Sequence, residues 1–291
     1  MAPALRLATR GSRQAWAQAS VIAELIRRST GREVELVRID TTGDRRSDVP
    51  LHSIGGQGVF VKEVQRAVLD GRADLAVHSA KDLPTEPADG LTIAAFTARR
   101  DARDALIGGR LDDLAEGATV ATGSVRRRAQ LAAVRPDLEF RELRGNIHTR
   151  LGRIPDGGAI VMAVAALQIL DLTDRIAQFL PVDRFVPAVG QGCVAVEVRG
   201  DDVATTVAVA EVDDAATRAQ VEVERAFLAE LGSGCSLPVG AHVAGEVLHT
   251  FLADPASSRV ASEQLVVGAG SHATHVERAR NAARRARSEV G

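Results

Sequence analysis

Apolar and polar residues follow two different periods along the chain, and these periods predict strands and helices in alternation. The apolar run Leu5–Thr9 is typical of a buried strand. After it, apolar residues recur at helical spacing between Ser12, which is placed to cap a helix, and Gly31, which would end it. A second strand is predicted over Glu33–Ile39. This alternation indicates a parallel β-sheet with helical connections.

The alternation resumes after Thr41–Gly58, a segment without a period that is predicted to be a long loop. The elements predicted beyond it are, in chain order, a helix over Phe60–Asp70, strands over Leu75–His78, Thr92–Phe96 and Thr119–Ala121, a helix from Val125, a strand over Phe140–Leu143, a helix near Ile147 and a strand over Ile160–Ala163. The elements from Thr119 onward repeat the design of the first set. They predict a sister domain.

The remaining pattern predicts a return to the first sheet and then a separate C-terminal unit. Val194–Val198 is expected to be the returning strand, and the helix Ala215–Leu231 leads onward from it. The elements predicted at the C-terminal end are strands near Val239–Ala244, Val247–Ala253 and Val260–Val267 and a helix from His272. The fold class is therefore predicted as α/β with a small α+β unit at the end.

The composition disfavours several functions. A formal charge of −2, from 36 basic and 38 acidic residues, gives no global field that would attract nucleic acid or a membrane surface. Aromatic residues make up 3% of the chain, which leaves few rings to stack on bases. Any anion site must therefore be local.

The cysteine content and the N-terminal sequence predict a cytoplasmic location. Cys193 and Cys235 are too few for a disulfide scaffold, and the chain has no CxxC pair of the kind that binds zinc or an iron–sulfur cluster. The N-terminus lacks the basic and apolar regions of a secretory signal. No apolar run approaches the roughly 20 residues of a membrane helix.

A local design that suits an anion occurs three times: a strand ends, a glycine turns the chain, and a small polar residue opens a helix beside arginine. The three sites are Arg10-Gly11-Ser12, Thr122-Gly123-Ser124 followed by Arg126, Arg127 and Arg128, and Arg144-Gly145-Asn146 followed by Arg150. Arginine near a helix N-terminus opposes the helix dipole, and an anionic ligand reverses that penalty. At a single site the pattern would favour an arginine that is solvated or pairs with Glu139 or Glu142. Three repeats favour ligand binding.

Two further residues are candidates for chemistry. Asp82 follows a predicted strand, and a carboxylate held there near cations could stabilise a positive charge or exchange a proton with a nitrogen. The alternative is an aspartate that caps its own turn. Cys235 lies in a glycine-rich loop, where a thiol is accessible for reaction, although the spacing alone favours an incidental free cysteine.

Four other residues, two types in all, are interpreted as structural. Cys193 is predicted to be a small buried side chain, and His78 a packed strand residue. His242 and His249 are expected to face one another across a hairpin, but two histidines without a third ligand are a weak indication of a metal site. We expect no metal.

Several longer motifs occur in a characteristic order along the chain. They are Ala8-Thr9-Arg10-Gly11-Ser12, Gly58-Val59-Phe60-Val61-Lys62-Glu63, Ala76-Val77-His78-Ser79-Ala80-Lys81-Asp82-Leu83-Pro84, Leu143-Arg144-Gly145-Asn146, Pro187-Ala188-Val189-Gly190-Gln191-Gly192 and Gly234-Cys235. Through these motifs the chain, from Leu5 to about Gly240, closely resembles the porphobilinogen deaminases, also called hydroxymethylbilane synthases, of tetrapyrrole biosynthesis.

The resemblance implies two periplasmic-binding-protein-like domains of the type II kind, with mostly parallel sheets, and a small α+β third domain that carries Cys235. We expect residues 1–96 with 193–213 to form the first domain, 97–192 the second and 214–291 the third. The implied activity is that of a transferase. It adds four porphobilinogen molecules, with loss of ammonia, to a dipyrromethane cofactor held by Cys235 through a thioether, and hydrolysis then frees the linear hydroxymethylbilane.

The resemblance also assigns residues to roles. Asp82 is implied to be the catalytic residue that contacts pyrrole nitrogens, helps ammonia to leave and stabilises an azafulvene-like cation. The residues implied to bind the carboxylate-rich cofactor, substrate or growing chain are Arg10, Ser12, Phe60, Ser79, Lys81, Thr122, Ser124, Arg126, Arg127, Arg144, Arg150 and Gln191. Two positions depart from the family pattern: Gln57 stands where many members have lysine, and Gly123 where many have serine.

A rival hypothesis is a non-catalytic bilobal protein that clamps an anion as a sensor, because a fold does not determine a function. It gives no role to Cys235. Nucleic-acid binding through Arg126–Arg128 is disfavoured by the near-neutral charge. We therefore expect a monomeric cytoplasmic enzyme that acts on the small molecule porphobilinogen and binds neither nucleic acid nor a membrane.

Overall fold

The structure is a computed structural model that describes residues 3–41, 61–232, 237–257, 259–268 and 270–291. The described residues divide into two compact units, one within Met1–Arg100 and Cys193–Arg218 and the other within Asp101–Gly192 and Ala219–Gly291. The predicted loop lies outside the described residues except for Thr41. Two predicted site residues, Phe60 and Cys235, also lie outside them.

The strands and helices follow the predicted alternation closely. The strands are β1 (Leu5–Arg10), β2 (Val34–Ile39), β3 (Leu75–Ser79), β4 (Leu91–Phe96), β5 (Asp104–Ile107), β6 (Thr119–Ala121), β7 (Glu139–Arg141), β8 (Ala159–Ala163), β9 (Gln178–Phe179), β10 (Val194–Arg199), β11 (Val239–Ala244), β12 (Val247–Ala253) and β13 (Val260–Val266). The helices are α1 (Arg13–Thr30), α2 (Lys62–Leu69), α3 (Val125–Val134), α4 (Ile147–Leu151), α5 (Val164–Gln168), α6 (Val203–Ala210), α7 (Ala215–Glu230) and α8 (His272–Val290).

Helix α1 shows why local sequence was sufficient for these predictions. Its N-cap is Ser12, whose hydroxyl accepts a hydrogen bond from the backbone of Ala15, and its C-cap is Gly31 in the left-handed conformation at φ +69°. Its apolar face packs on the sheet, and each fully buried isoleucine there contributes about 1.5–3 kcal/mol. The buried residues of this face are Ala19, Ile22, Ala23 and Ile26.

The first unit contains a five-stranded sheet in the order β2-β1-β3-β10-β4. β1 pairs in parallel with β2 and β3, whereas β10 runs antiparallel to β3 and β4. The predicted return of Val194–Val198 to this sheet is therefore confirmed. The sheet is mostly parallel, as predicted, and β10 is its antiparallel strand, because this strand enters from a long excursion and not through a helical crossover that would require parallel pairing.

Both faces of this sheet are covered. Leu5 and Leu7 of β1 pack with α1, while Ala8 packs with the buried residues of α2 on the opposite face. Burial on both faces explains why the strand is apolar without a strict alternation.

The second unit contains another five-stranded sheet in the order β7-β6-β8-β5-β9. β6 pairs in parallel with β7 and β8, and β5 runs antiparallel to β8 and β9. The two sheets therefore share one topology: three parallel strands, an antiparallel strand and a final edge strand. This confirms the predicted repetition of the design. β5 and β9 were not predicted, and Phe140–Leu143 was placed too far along, because Leu143 is buried in the turn after β7.

The C-terminal part forms a small domain with an antiparallel sheet, β11-β12-β13. Helices α7 and α8 pack on this sheet, with Phe227 and Leu248 in the shared core. Val189, from the segment before β10, belongs to the same core cluster. The predicted fold class, α/β with a small α+β C-terminal domain, is confirmed.

Candidate active site

In the first unit, five of the predicted site residues lie at or just after the carboxyl ends of two neighbouring strands. β1 and β3 are parallel, with Leu7 opposite Leu75, so both strands end at one edge of the sheet. This edge is where open α/β sheets bind ligands. The predicted residues of the first segment are Arg10, the last residue of β1, and Ser12. Those of the second segment are Ser79, the last residue of β3, followed by Lys81 and Asp82.

Hydrogen bonds join these two segments. The Ser12 hydroxyl accepts from the backbone N–H of Ala15 at 3.2 Å, which fixes the first turn of α1. The Ser79 hydroxyl donates to Oε1 of Gln18, on the next turn of the same helix, at 3.2 Å. The end of β3 is thus tied to the helix that begins after β1.

Asp82 lies half-buried at the end of a 3₁₀ turn, Ala80–Asp82. The turn is held by the N–H of Ala80, which donates to the carbonyl of Cys193 at 3.0 Å, and by the N–H of Leu83, which donates to the carbonyl of Ala80 at 3.3 Å. The hydrogen bonds that hold this turn are therefore made by backbone groups.

In the second unit, a buried carboxylate gathers three of the predicted residues. Asp104, the first residue of β5, is 1% exposed. Arg126 Nη2 donates to Asp104 Oδ2 at 2.8 Å, and Arg127 Nη2 donates to Asp104 Oδ1 at 2.7 Å. Gln191 Nε2 also donates to Oδ1, at 2.8 Å, and to the carbonyl of Ala102 at 2.7 Å.

The two guanidinium groups are also bound to backbone carbonyls. Arg126 Nη1 donates to the carbonyl of Val186 at 2.6 Å, and Arg127 Nη1 donates to that of Val161 at 3.1 Å. Both arginines lie in the first turn of α3, where the Ser124 hydroxyl accepts from the N–H of Arg127 at 3.4 Å. Packing and hydrogen bonds therefore hold both side chains in one geometry.

The charges of this cluster do not cancel. Burial alone would raise the pKa of Asp104, but the charges of Arg126 and Arg127 lower it by more, so this pKa lies well below the ordinary 3.8. Burial lowers the pKa of Arg126, and Asp104 opposes that shift. Two guanidinium groups and one carboxylate leave a buried net charge of +1. Such a charge is costly unless an anion compensates it.

Arg127 also retains an unused donor. Its Nε is buried and has no hydrogen-bond partner among the described residues. The side chain is itself about nine-tenths buried. A buried, unpaired guanidinium N–H beside the N-terminus of α3 matches the chemistry of a carboxylate ligand.

The turn before α3 explains one departure from the family pattern. Thr122 is buried, and its hydroxyl accepts from the N–H of Ser124 at 3.2 Å. A Cβ atom on Gly123 would lie 2.8 Å from the carbonyl oxygen of Leu143 and 2.9 Å from Oε1 of Glu142. A serine at this position would require these neighbours to shift, which accounts for the glycine.

The third predicted site has the expected cap. The Asn146 side chain accepts from the N–H of Thr149 at 3.0 Å and so begins α4. Arg150 Nε donates to the carbonyl of Gly145 at 2.7 Å, and Arg144 is half-buried in the preceding turn.

Two expectations about other residues are confirmed. His242 and His249 lie opposite each other in the β11–β12 hairpin, and Cys193 is buried. In the described ranges no group of three or more histidine, cysteine, aspartate or glutamate residues is arranged to hold a metal. Within the same ranges, no helix is both long and apolar enough to cross a membrane.

Asp104 is a residue of this cluster that was not predicted from the sequence. The available indication was a charged residue directly before the apolar Ala105-Leu106-Ile107, since an acidic residue in a fully buried strand needs cationic partners. Arg126 and Arg127 were predicted to bind a ligand, but the carboxylate that positions them was not identified.

The fold and this cluster define an α/β protein with a buried cationic cluster, whose chemistry suits an acidic ligand. The chain belongs to the porphobilinogen deaminase family. Residues 5–207 match the family domain described as "Porphobilinogen deaminase, dipyromethane cofactor binding domain", and residues 218–263 match "Porphobilinogen deaminase, C-terminal domain".

Curated relatives support this assignment over most of the chain. The porphobilinogen deaminase of Acidothermus cellulolyticus is 50% identical over 246 residues, which cover 81% of this chain and 74% of the relative. That of Geobacter sulfurreducens is 43% identical over 270 residues, covering 90% and 85%. Among solved structures, the methionine-binding protein MetQ is similar with a TM-score of 0.46 at 12% identity, over 72% of this chain and 89% of that one. The fold assignment rests on the sheet topology and not on that similarity.

Proposed function

We propose that this protein is a porphobilinogen deaminase, a transferase that joins four porphobilinogen molecules into the linear tetrapyrrole hydroxymethylbilane and releases ammonia. Family membership over residues 5–207 supports the activity. The structural observation that carries the proposal is the buried cluster of Arg126, Arg127 and Asp104, with its excess positive charge. Substrate and product both carry carboxylates that can neutralise it.

The matched family domain is described as one that binds a dipyrromethane cofactor. The buried, unpaired Nε of Arg127 fits the carboxylates that such a group carries. When attached through a thioether to Cys235, the cofactor would supply the free pyrrole end to which substrate is added. Arg127, with its unpaired Nε, and the backbone N–H groups at the start of α3 would hold carboxylate side chains of the cofactor. Thr122, Ser124, Arg144 and Gln191 would complete this side of the site.

Asp82 would be the residue that provides acid–base catalysis and electrostatic stabilisation. Its carboxylate follows β3, on the same sheet edge as the end of β1. An ionised carboxylate there can accept a hydrogen bond from a pyrrole N–H and stabilise the positive charge that develops when ammonia leaves. The residues of the same unit that would bind acidic groups around it are Arg10, Ser12, Ser79 and Lys81. Phe60 and Arg150 are proposed, from the family resemblance, as further residues that bind cofactor, substrate or growing chain.

The remaining proposals concern organisation. We propose three domains, of residues 1–96 with 193–213, 97–192 and 214–291, because each range contains one of the three sheets. We also propose a cytoplasmic monomer that binds neither nucleic acid nor membrane. The formal charge of −2 and the two cysteines support this.

Turnover distinguishes this function from that of a non-catalytic anion sensor, which the family assignment does not favour. Purified protein incubated with porphobilinogen should release four ammonia molecules for each tetrapyrrole formed. A sensor would bind porphobilinogen and release none. Stoichiometric binding without ammonia would therefore overturn the proposal.

A further inference from the structure

Glu224 is a fully buried carboxylate to which neither the sequence analysis nor the proposed mechanism assigns a role. It lies in α7, within the C-terminal domain, and is 0% exposed. Its Oε2 accepts from the N–H of Gly190 at 2.8 Å. Its Oε1 accepts from the N–H of Val243 at 2.9 Å and lies 3.2 Å from Nδ1 of His242. The carboxylate thus joins the C-terminal sheet to the segment before β10.

The residue after Gly190 enters the arginine cluster. Gln191 is 1% exposed, and its Nε2 donates to Asp104 and to the carbonyl of Ala102. Asp104 in turn holds Arg127. Hydrogen bonds, together with the peptide bond between Gly190 and Gln191, therefore connect Glu224 to the guanidinium group of Arg127.

The turn at residues 188–192 is held by a contact from outside its own residues. Gly190 has φ +70°, a conformation that glycine adopts without strain but also leaves readily. The N–H of Gln191 donates to the carbonyl of Ala188 at 2.9 Å, which closes the turn. Val189 points into the C-terminal core. The bond to Glu224 is what fixes the direction of the peptide that delivers the Gln191 side chain.

We infer that Glu224 is a positioning residue for the anion site: it orients the Ala188–Gly192 turn so that Gln191 holds Asp104 and, through it, Arg127. This inference rests on the proposed function and adds a dependence of that site on the C-terminal domain. A carboxylate is required because two backbone N–H groups each need an acceptor. Glutamine in its place offers one acceptor oxygen and one NH₂ group, which cannot accept.

A double-mutant cycle tests the inference on cofactor-loaded protein. For each cofactor-loaded molecule, Glu224→Gln and Gln191→Ala are each expected to lower kcat/KM for porphobilinogen by about tenfold. A loss of this size is typical of residues that act in one hydrogen-bond network. The double variant should be no worse than either single variant. A purely structural role would change the free energy of unfolding but leave kcat/KM per loaded molecule unaltered.

The matched control is Glu222→Gln, two residues away on the same helix. Glu222 is partly exposed and lies 2.9 Å from His272, so this substitution makes the same chemical change away from Gly190. The inference is rejected if Glu224→Gln stays within twofold of this control, or if the losses of the two single variants multiply in the double variant. A wild-type protein that neither carries the cofactor nor consumes porphobilinogen would reject the proposed function itself.

Hydrogen exchange supplies a test that does not depend on the folding of a variant. In the wild-type holoenzyme the amide of Gly190 should exchange as slowly as the core strands, because its acceptor is a buried carboxylate. The same amide should exchange faster in Glu224→Gln and stay protected in Glu222→Gln. Rapid exchange of this amide in the wild-type protein would overturn the inference.

Discussion

Arg127 Nη2 lies 2.7 Å from Asp104 Oδ1, and both side chains are almost completely removed from solvent. Arg126 binds the other oxygen of the same carboxylate at 2.8 Å. One aspartate therefore aligns two guanidinium groups, and among the described residues their second positive charge has no paired carboxylate. Because these hydrogen bonds already hold both guanidinium groups in one geometry, an acidic ligand that bound there would need to use little of its binding energy to order them.

The Asp104→Asn substitution tests how much the cluster depends on that carboxylate. It would leave two buried guanidinium groups without a counter-charge, and we expect a loss of about 3–5 kcal/mol in the free energy of unfolding. Urea denaturation measures the loss. Asp101→Asn is the control: Asp101 pairs with Arg103 at 2.6 Å but is more exposed, so about 1 kcal/mol is expected. Equal losses for both variants would contradict the special role of Asp104.

The buried histidine pair predicts a dependence of stability on pH. Burial is the main reason why the pKa of His249 is lowered from 6.5; the charge of His242 lowers it further, and Asp183 opposes the shift. As the pH falls below about 6.5, the unfolded chain gains a proton that folded His249 resists. Neutral His249 therefore contributes fully to the free energy of unfolding above about pH 6.5, and this contribution is lost progressively as the pH falls below that value.

The comparison of wild type with His249→Gln measures this contribution. Urea unfolding at about pH 7.5 and about pH 5.5 should show a larger acid-induced loss of stability for the wild type than for the variant. If the wild type and the variant lost equal amounts of stability at acid pH, His249 would not be the source of the pH dependence.

Asp82→Ala separates a catalytic from a structural role. Asp82 is half-buried at the end of a short turn, so its removal should leave the melting temperature close to that of the wild type. Turnover of porphobilinogen should fall by at least about 10²-fold, the usual contribution of a positioned acid–base group. Asp89→Ala is the control, because Asp89 is exposed in the same loop region. Wild-type rates in Asp82→Ala would exclude it as the catalytic residue.

The sequence predicted those features that depend on neighbouring residues. Ser12 and Gly31 mark the ends of α1 because a helix cap is a contact within one turn. The glycine-polar-arginine pattern at α3 correctly indicated that cations begin this helix. In each case the interacting groups lie a few positions apart, so periodicity and local chemistry contain the information.

The features that sequence patterns missed depend on contacts between distant residues. β5 has four residues, and its partners β8 and β9 lie more than 50 residues away, so no local pattern marks it. Asp104 meets Arg126 across 22 positions and Gln191 across 87. Glu224 occupies the buried face of α7 between Val221 and Phe227, where helical spacing alone predicts an apolar residue. The thioether to Cys235 was implied by family resemblance alone.

The intact mass of the purified protein tests the central claim most directly. If an acidic oligopyrrole is anchored through sulfur beside the arginine cluster, the wild-type mass exceeds that of the bare chain by one dipyrromethane unit. The increment should be absent in Cys235→Ser and retained in Cys193→Ser, since Cys193 is buried. A wild-type protein with an unmodified mass, even after incubation with porphobilinogen or hydroxymethylbilane, would contradict the account.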